Sequence, residues 1–302
     1  MKWLFWTVSI LLIVALLAVA AQHFRYLSTR RDIVMDRQDV FHSSSVFHVA
    51  TLLALSPDQP LLTGVKAFVD AVERDGATVV YAGKIAVIAL QSKQLPQENW
   101  SAFVLAQYPS RDAYDAAAAT PGYTEIRASF ANTYALGMQR SAMLNLTLPI
   151  VLLGRRIMDI VTLTPARYPF RKAEAAGQAE LETPDPRSRL VEGLLANREY
   201  GKDACVVLNF IKSGSTEQRE ANSGYGNEML GLMAEMGNGP THIGRAVTLE
   251  GDANFDQVVI VYYPGVEYFA DLVQSEFFTG IVGGKQLGDT LASPTVPLLP
   301  YL

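Results

Sequence analysis

The sequence predicts an α+β protein in which two strand–helix–strand–strand–helix–strand units, in tandem, face each other behind one N-terminal transmembrane helix. Three observations predict this. The chain has 302 residues, about twice the usual single-domain length, and 49% of them are apolar, which is core material for two packed units. Its start carries a long uncharged run. The remainder repeats its own pattern at offsets of 161 and then 155 residues.

Composition removes several functional classes. The formal net charge is −5, and residues 201–302 carry 5 basic against 12 acidic side chains, the wrong sign for a phosphate backbone, so no nucleic-acid partner is expected. Cys205 is the one cysteine, which excludes an internal disulfide and any multi-cysteine zinc or iron–sulfur site. No resident cofactor and no metal are expected. His42 and His48 lie six residues apart beside Asp39, but two imidazoles in a juxtamembrane stretch do not make a metal site.

Taken in order, residues 1–29 read as a membrane anchor with a short flank. Trp3–Ala21 is free of charge, with Thr7 and Ser9 its only polar members, and aromatics flank it at Trp3, Trp6, Phe24 and Tyr26. A cleaved signal peptide, with Lys2 as the basic start and Ala18-Val19-Ala20 as the cleavage site, is the alternative; the run exceeds the usual signal core. The expected partner is therefore a lipid bilayer through residues 3–21. The side of the membrane stays open, because Arg25, Arg30, Arg31 and Arg37 oppose Lys2 and the amino terminus. Residues 30–45 form a polar juxtamembrane linker.

The first unit covers residues 46–148. Phe47–Leu55 reads as a strand, and Leu61–Arg74 as a helix with Leu62, Val65, Val69 and Val72 on one face. Thr78–Leu90 and Trp100–Tyr108 are the next strands; a short helix starts near Ser110, a good N-cap, and a strand around Met138–Leu148 closes the unit. Residues 149–202 form the crossover and linker. Leu148–Lys172 is apolar with basic interruptions and is read as packing on the barrel, with an interfacial membrane segment as the alternative. Lys172–Arg187 reads as a flexible linker and Arg189–Arg198 as a short helix.

The second unit covers residues 203–302: strand Ala204–Lys212, helix Glu217–Met236, strands Thr241–Leu249 and Phe255–Tyr263, helix Val266–Ser275, and a last strand within Lys285–Leu299. The repeat is legible in words. Tyr81-Ala82-Gly83-Lys84 corresponds to His242-Ile243-Gly244-Arg245, and the strand ending Tyr108-Pro109-Ser110 to the one ending Tyr263-Pro264-Gly265. Beyond the second match Tyr114 falls on Phe269, Tyr123 on Phe278 and Ile126 on Ile281 without a gap. Such a unit is the ferredoxin-like split βαβ, with both helices on one sheet face. The bare faces must pair to be buried.

On these residues each repeat resembles the dimeric α+β-barrel superfamily, and within it a small uncharacterised bacterial family with a Phe/Tyr-Pro-Ser turn, a helix and a Tyr-x-x-x-Arg segment. The first copy carries Tyr108-Pro109-Ser110 and Tyr123-Thr124-Glu125-Ile126-Arg127; the second carries Ser223-Gly224-Tyr225 and Leu249-Glu250-Gly251. The second departs from the pattern at Gly265, Phe278 and Val282 or Gly283, and the first lacks the Glu-Gly pair. The resemblance implies two ferredoxin-like units paired as an intramolecular dimeric α+β barrel, and a bacterial inner-membrane location for a single-pass chain. Members of the superfamily include cofactor-independent oxygenases, lactone isomerases, haem-degrading enzymes and stress-response proteins, so fold does not carry function.

The candidate site residues are the paired second-strand positions. Residues i and i+3 of a strand point to opposite faces, so either Tyr81 and His242 look between the sheets, offering acid–base groups, or Lys84 and Arg245 do, offering an anion site. His242 is the candidate catalytic residue. Arg245, Lys84, Tyr81, Asn209 and Tyr225 are candidate ligand-binding residues. Gly280-Ile281-Val282-Gly283-Gly284-Lys285 is glycine-rich but lacks phosphate-loop spacing and reads as a turn. Two functions follow: a membrane-tethered module binding a small hydrophobic or anionic ligand or a partner, or a cofactor-independent monooxygenase or isomerase acting on a hydrophobic small molecule in the barrel cavity. The oligomeric state is left open.

Overall fold

The computed structural model describes residues 2–32, 45–95, 99–141, 143–173, 186–237 and 240–302. His42, Asp39 and most of the two expected linkers lie outside them. The transmembrane helix and single-pass location are corrected here: among the described residues no helix is long and apolar enough to cross a membrane. Helix α1 (Lys2–Asp32) has 31 residues. Beyond its uncharged run the helix continues through Arg25, Arg30, Arg31 and Asp32.

The body is built from two units of the expected order. The first comprises β1 (Phe47–Ala54), α2 (Leu61–Arg74), β2 (Thr78–Ile85), β3 (Ala102–Tyr108), α3 (Arg111–Ala118), α4 (Pro121–Ala128) and β4 (Asn132–Gln139). A crossover helix α5 (Leu144–Val161) and the short α6 (Pro186–Leu195) and α7 (Arg198–Gly201) lead to the second unit. That unit comprises β5 (Cys205–Ile211), α8 (Thr216–Met236), β6 (Pro240–Thr248), β7 (Gln257–Tyr263), α9 (Val266–Val273), α10 (Glu276–Ile281) and β8 (Leu291–Pro297). α1 touches the body along α5 and leaves Trp3, Phe5 and Leu17 exposed.

The eight strands close into one antiparallel barrel in the order β1-β3-β2-β8-β5-β7-β6-β4. Each unit supplies four neighbouring strands. Closure comes from two seams in which the second strand of one copy pairs with the fourth of the other: Gly83 opposite Pro297 and Ile85 opposite Thr295 on one side, Leu136 opposite Thr248 and Gln139 opposite Arg245 on the other. The chain is thus a tandem α+β barrel, with both bare sheet faces buried against each other and no open edge.

Strand alternation sorts the core into layers. Ala50, Leu52, Leu105, Leu136, Leu208 and Ile260 fill the interior. Val49, Leu53, Val104 and Ala106 face outward onto Val65, Phe68, Val69 and Val72 of α2, and Cys205 and Val207 face Leu232 and Met233 of α8. The second helix of each unit is split. Thr120 and Ser275 each accept a hydrogen bond from the amide three residues on and start a new helix after a break.

The closing strand of the first copy is β4, not Met138–Leu148, which runs from the end of β4 into α5. Tyr134, Leu136 and Met138 alternate inward with Ala135 outward. No such alternation continues past Gln139, and the long apolar run beyond it buries one face as a helix instead. α5 lies against α8, and its basic neighbours are taken up by carboxylates. Arg167 Nη1 donates to Asp159 at 2.9 Å, and Arg155 also meets Asp159. The crossover therefore packs on the second unit's helical layer.

Candidate functional site

In both second strands the pairing register shifts just before the residue of interest, between Val79 and Tyr81 in β2 and between Pro240 and His242 in β6. Such a bulge re-aims a side chain. Tyr81 and His242 accordingly face the interior and are fully buried. Gly244, two residues on, leaves the space that Met138 of the first copy fills. Lys84 lies on the outer side with its ammonium 6.0 Å from the Tyr200 ring, and Arg245 is exposed.

Inside the barrel, His242 meets His48 edge-on at 5.5 Å between ring centroids, and Tyr262 at 6.5 Å. The Tyr81 hydroxyl shares a 2.8 Å hydrogen bond with Thr295, which donates to the Val206 carbonyl at 2.8 Å. Burial pushes the Tyr81 phenol well above its ordinary range, the hydrogen bond shared with Thr295 pulling the other way. Around them Phe103, Leu105, Leu136, Met138 and Phe210 are packed to zero exposure. His48 escaped the sequence reading as an interior residue; its parity with Ala50 and Leu52 was the available signal.

Asn209 and Tyr225 lie elsewhere. The Asn209 amide donates to the Val207 and Val259 carbonyls at 3.3 and 3.2 Å. Tyr225 stands on α8 in the outer layer, its phenol pushed up to about 12 by burial. The six candidates thus divide among the interior, the helical layers and the surface.

The polar constellation that the fold does assemble lies at the β4–β6 seam, outside the barrel. α4 carries Tyr123 and Arg127; the segment leaving β6 carries Glu250. Arg127 Nη2 meets Glu250 Oε2 at 2.8 Å, and Arg127 Nε donates to Thr133 at 2.9 Å. The Ala135 amide donates to the same Oε2 at 3.1 Å. Glu250 Oε1 is buried and meets no hydrogen-bond donor among the described residues. Beside the pair, Tyr123 is hydrogen-bonded to Tyr114, whose ring packs edge-on to Tyr108 at 5.3 Å.

The seam joins motif halves that the two copies keep separately: Tyr-x-x-x-Arg from the first, Glu-Gly from the second. At the pseudo-equivalent place the chemistry is gone. The counterparts of Tyr114, Tyr123 and Arg127 are Phe269, Phe278 and Val282, and that of Glu250 is Ala89. Phe269 there packs on Tyr263 at 4.6 Å. Duplication has left one polar seam and one apolar seam.

Burial pushes the Glu250 carboxyl above its ordinary value, against the lowering pull of Arg127 and of the Ala135 amide. The folded state therefore holds this proton to higher pH than the unfolded state does, so stability falls as pH rises from about 4.5 through the raised titration. Glu250→Gln, which does not ionise, should lose that negative slope in denaturant midpoints measured between pH 4 and pH 7. A slope identical to wild type would show that Glu250 titrates normally.

No protein-family description matches the chain, and no curated protein does. Among solved structures, an anthrone oxidase-like protein is 10% identical over 84% of this chain and 91% of that one, with a TM-score of 0.43. Chlorite dismutase from Candidatus Nitrospira defluvii is 12% identical over 88% and 97%, with a TM-score of 0.41. A protein of unknown function from Rhodopseudomonas palustris is 22% identical over 33% of this chain and 85% of that one, with a TM-score of 0.23. At these scores the likenesses bear no argument about function, and the fold rests on this chain's own strand order.

Proposed function

We propose that the protein binds a small, largely hydrophobic molecule carrying one hydroxyl or N–H donor, at the seam formed by Arg127, Glu250, Tyr114 and Tyr123. One observation carries this reading: Glu250 Oε1, a buried carboxylate oxygen with no donor among the described residues, in a cluster assembled from both copies. Buried acceptors take a partner, and a bound molecule supplies one. Phe47, 5.8 Å from the Tyr114 ring, extends the aromatic wall. A second carboxylate so close to Glu250 would be repelled, which favours a neutral ligand.

Calorimetric titration with benzyl alcohol and with benzoate tests it. Benzyl alcohol should bind wild type, benzoate at least 10-fold more weakly, and Glu250→Ala should weaken benzyl alcohol roughly 10- to 100-fold, the range of a hydrogen bond to a charged group. His242→Ala should leave that affinity unchanged, because His242 lies in the barrel interior. Equal benzyl alcohol affinity in wild type and Glu250→Ala would sink the proposal.

The raised carboxyl of Glu250, next to two hydrogen-bonded phenols, favours a second reading, an isomerase in which Glu250 takes a proton from a bound carbonyl compound. Its signature is solvent-deuterium uptake by a turned-over ketone, lost in Glu250→Gln.

A further inference from the structure

A second place, lined by other residues than the polar seam, has the features of a ligand site. A cleft of about 390 Å³ opens between Leu90, Gln91 and Lys93 of the first copy and Lys285, Leu287, Gly288, Asp289 and Thr290 of the second. Lys285 ends the glycine-rich segment. Rather than a free turn, that segment is the end of α10 followed by a 3-10 turn over Val282–Gly284, and it seats Gly284 against Ala221 and Tyr225 of α8. The Lys285 ammonium lies 5.9 Å from the centroid of the Tyr225 ring.

The charges in this cleft do not cancel. Among the described residues no carboxylate lies within ion-pair distance of Lys285 or Lys93, although residues 201–302 carry 12 acidic against 5 basic side chains. Among the described residues lining the cleft, the one acidic group, Asp289, accepts with its two oxygens from the Lys93 and Gln94 amides at 2.7 and 3.0 Å. That clamp fixes the first copy's loop onto the second copy. Gln94 reinforces it by accepting from the Asn254 amide at 2.7 Å. Asp289 thus positions Lys93, and its single negative charge is outnumbered by the two lysines, neither of which forms an ion pair among the described residues. Partial burial of Lys285 lowers its affinity for its proton, as expected of an ammonium withdrawn from water with no anion beside it.

The geometry points to this cleft as a binding site for a small oxyanion, a phosphate or carboxylate group, held between Lys285 and Lys93 with Leu90 and Leu287 as apolar walls. An anion supplies the missing counter-charge, and a lysine pair contributed by opposite copies holds it only in the closed barrel. The ring face of Tyr225 backs the Lys285 ammonium from behind, so the cation stays in place when the cleft is empty.

Thermal unfolding of the full chain in sodium phosphate and sodium acetate, each against sodium chloride of matched ionic strength, is the test. For a millimolar site, 20 mM phosphate should raise Tm by roughly 3–6 °C over chloride. K285M should abolish the rise, K285R should keep part of it, and K93Q should reduce it. K66M, at an exposed lysine paired with Asp70, should behave as wild type. A rise with phosphate alone assigns a phosphate ester, and one with acetate alone a carboxylate. If K285M does not fold, the wild-type Lys285 titration, followed by NMR of 13C-methylated protein and assigned with K285R, replaces it. Added phosphate should move that titration upward. No anion-specific rise, an equal rise in K285M, or an unmoved Lys285 titration would overturn the site.

Discussion

Replacing Gly265 with serine, the residue that the first copy uses at the same place, should destabilise the protein by about 3–5 kcal/mol. Sequence logic alone expects the opposite. Ser110 caps α3 by accepting from the Ala113 amide at 3.1 Å, a contact worth about 1 kcal/mol, and α9 lacks a side-chain cap. The backbone at Gly265 decides otherwise. Its φ is 118° and its ψ 164°, a region essentially reserved for glycine, and a Cβ there would run into the Lys202 carbonyl. Lys202 follows α7 on the chain entering the second unit, so its backbone has little freedom to retreat. Urea unfolding of G265S against wild type measures the loss, with S110A as the calibrating variant at about 1 kcal/mol. A G265S midpoint at or above wild type would show that the turn relaxes freely.

The second large effect is expected at Arg167, whose side chain is 7% exposed. Its guanidinium meets Asp159 at 2.9 Å and Glu235 at 3.7 Å, while Glu235 also accepts from the Arg167 and Tyr168 amides at 2.9 and 2.8 Å. R167M keeps the bulk and removes the charge, leaving buried Asp159 and partly buried Glu235 without it. Breaking one partner of such a pair costs about 3–5 kcal/mol. Arg155 still reaches Asp159 at 3.3 Å, which places the result near the lower bound. The double variant R167M/D159N should recover part of the loss, because it removes an uncompensated charge as well as a contact. A single variant with wild-type stability would mean that the network is solvated and the crossover is held by apolar packing alone.

The candidate site was only half legible. Tyr123, Arg127 and Glu250 were visible as motif fragments, but as fragments of two different copies, each incomplete. Nothing local says that α4 of one copy lies beside the segment after β6 of the other. The same limit hid His48, which the chain shows beside His42 and the fold places against His242. Asn209 stood out as a polar residue in an apolar strand, a pattern that suggests function; here its amide bonds two backbone carbonyls.

What the sequence by itself determined is whatever has a short period. Short apolar runs ending in turns marked the strands, helical spacing marked α2, and the recurrence of aromatic-x-Gly-basic and Tyr-Pro turns revealed a duplicated α+β unit whose bare sheet faces had to meet. The tertiary structure alone decided which edges close the barrel, where a bulge turns Tyr81 and His242 inward, and which of two equivalent seams keeps its charges. It also decided that the run Met138–Leu148 ends one strand and begins a helix, since pairing with β1 and β6 selects Asn132–Gln139. The physical reason is range. Period follows from backbone geometry within a few residues, whereas Arg127 and Glu250 become neighbours only after strands from separate copies have paired and buried the surface between them.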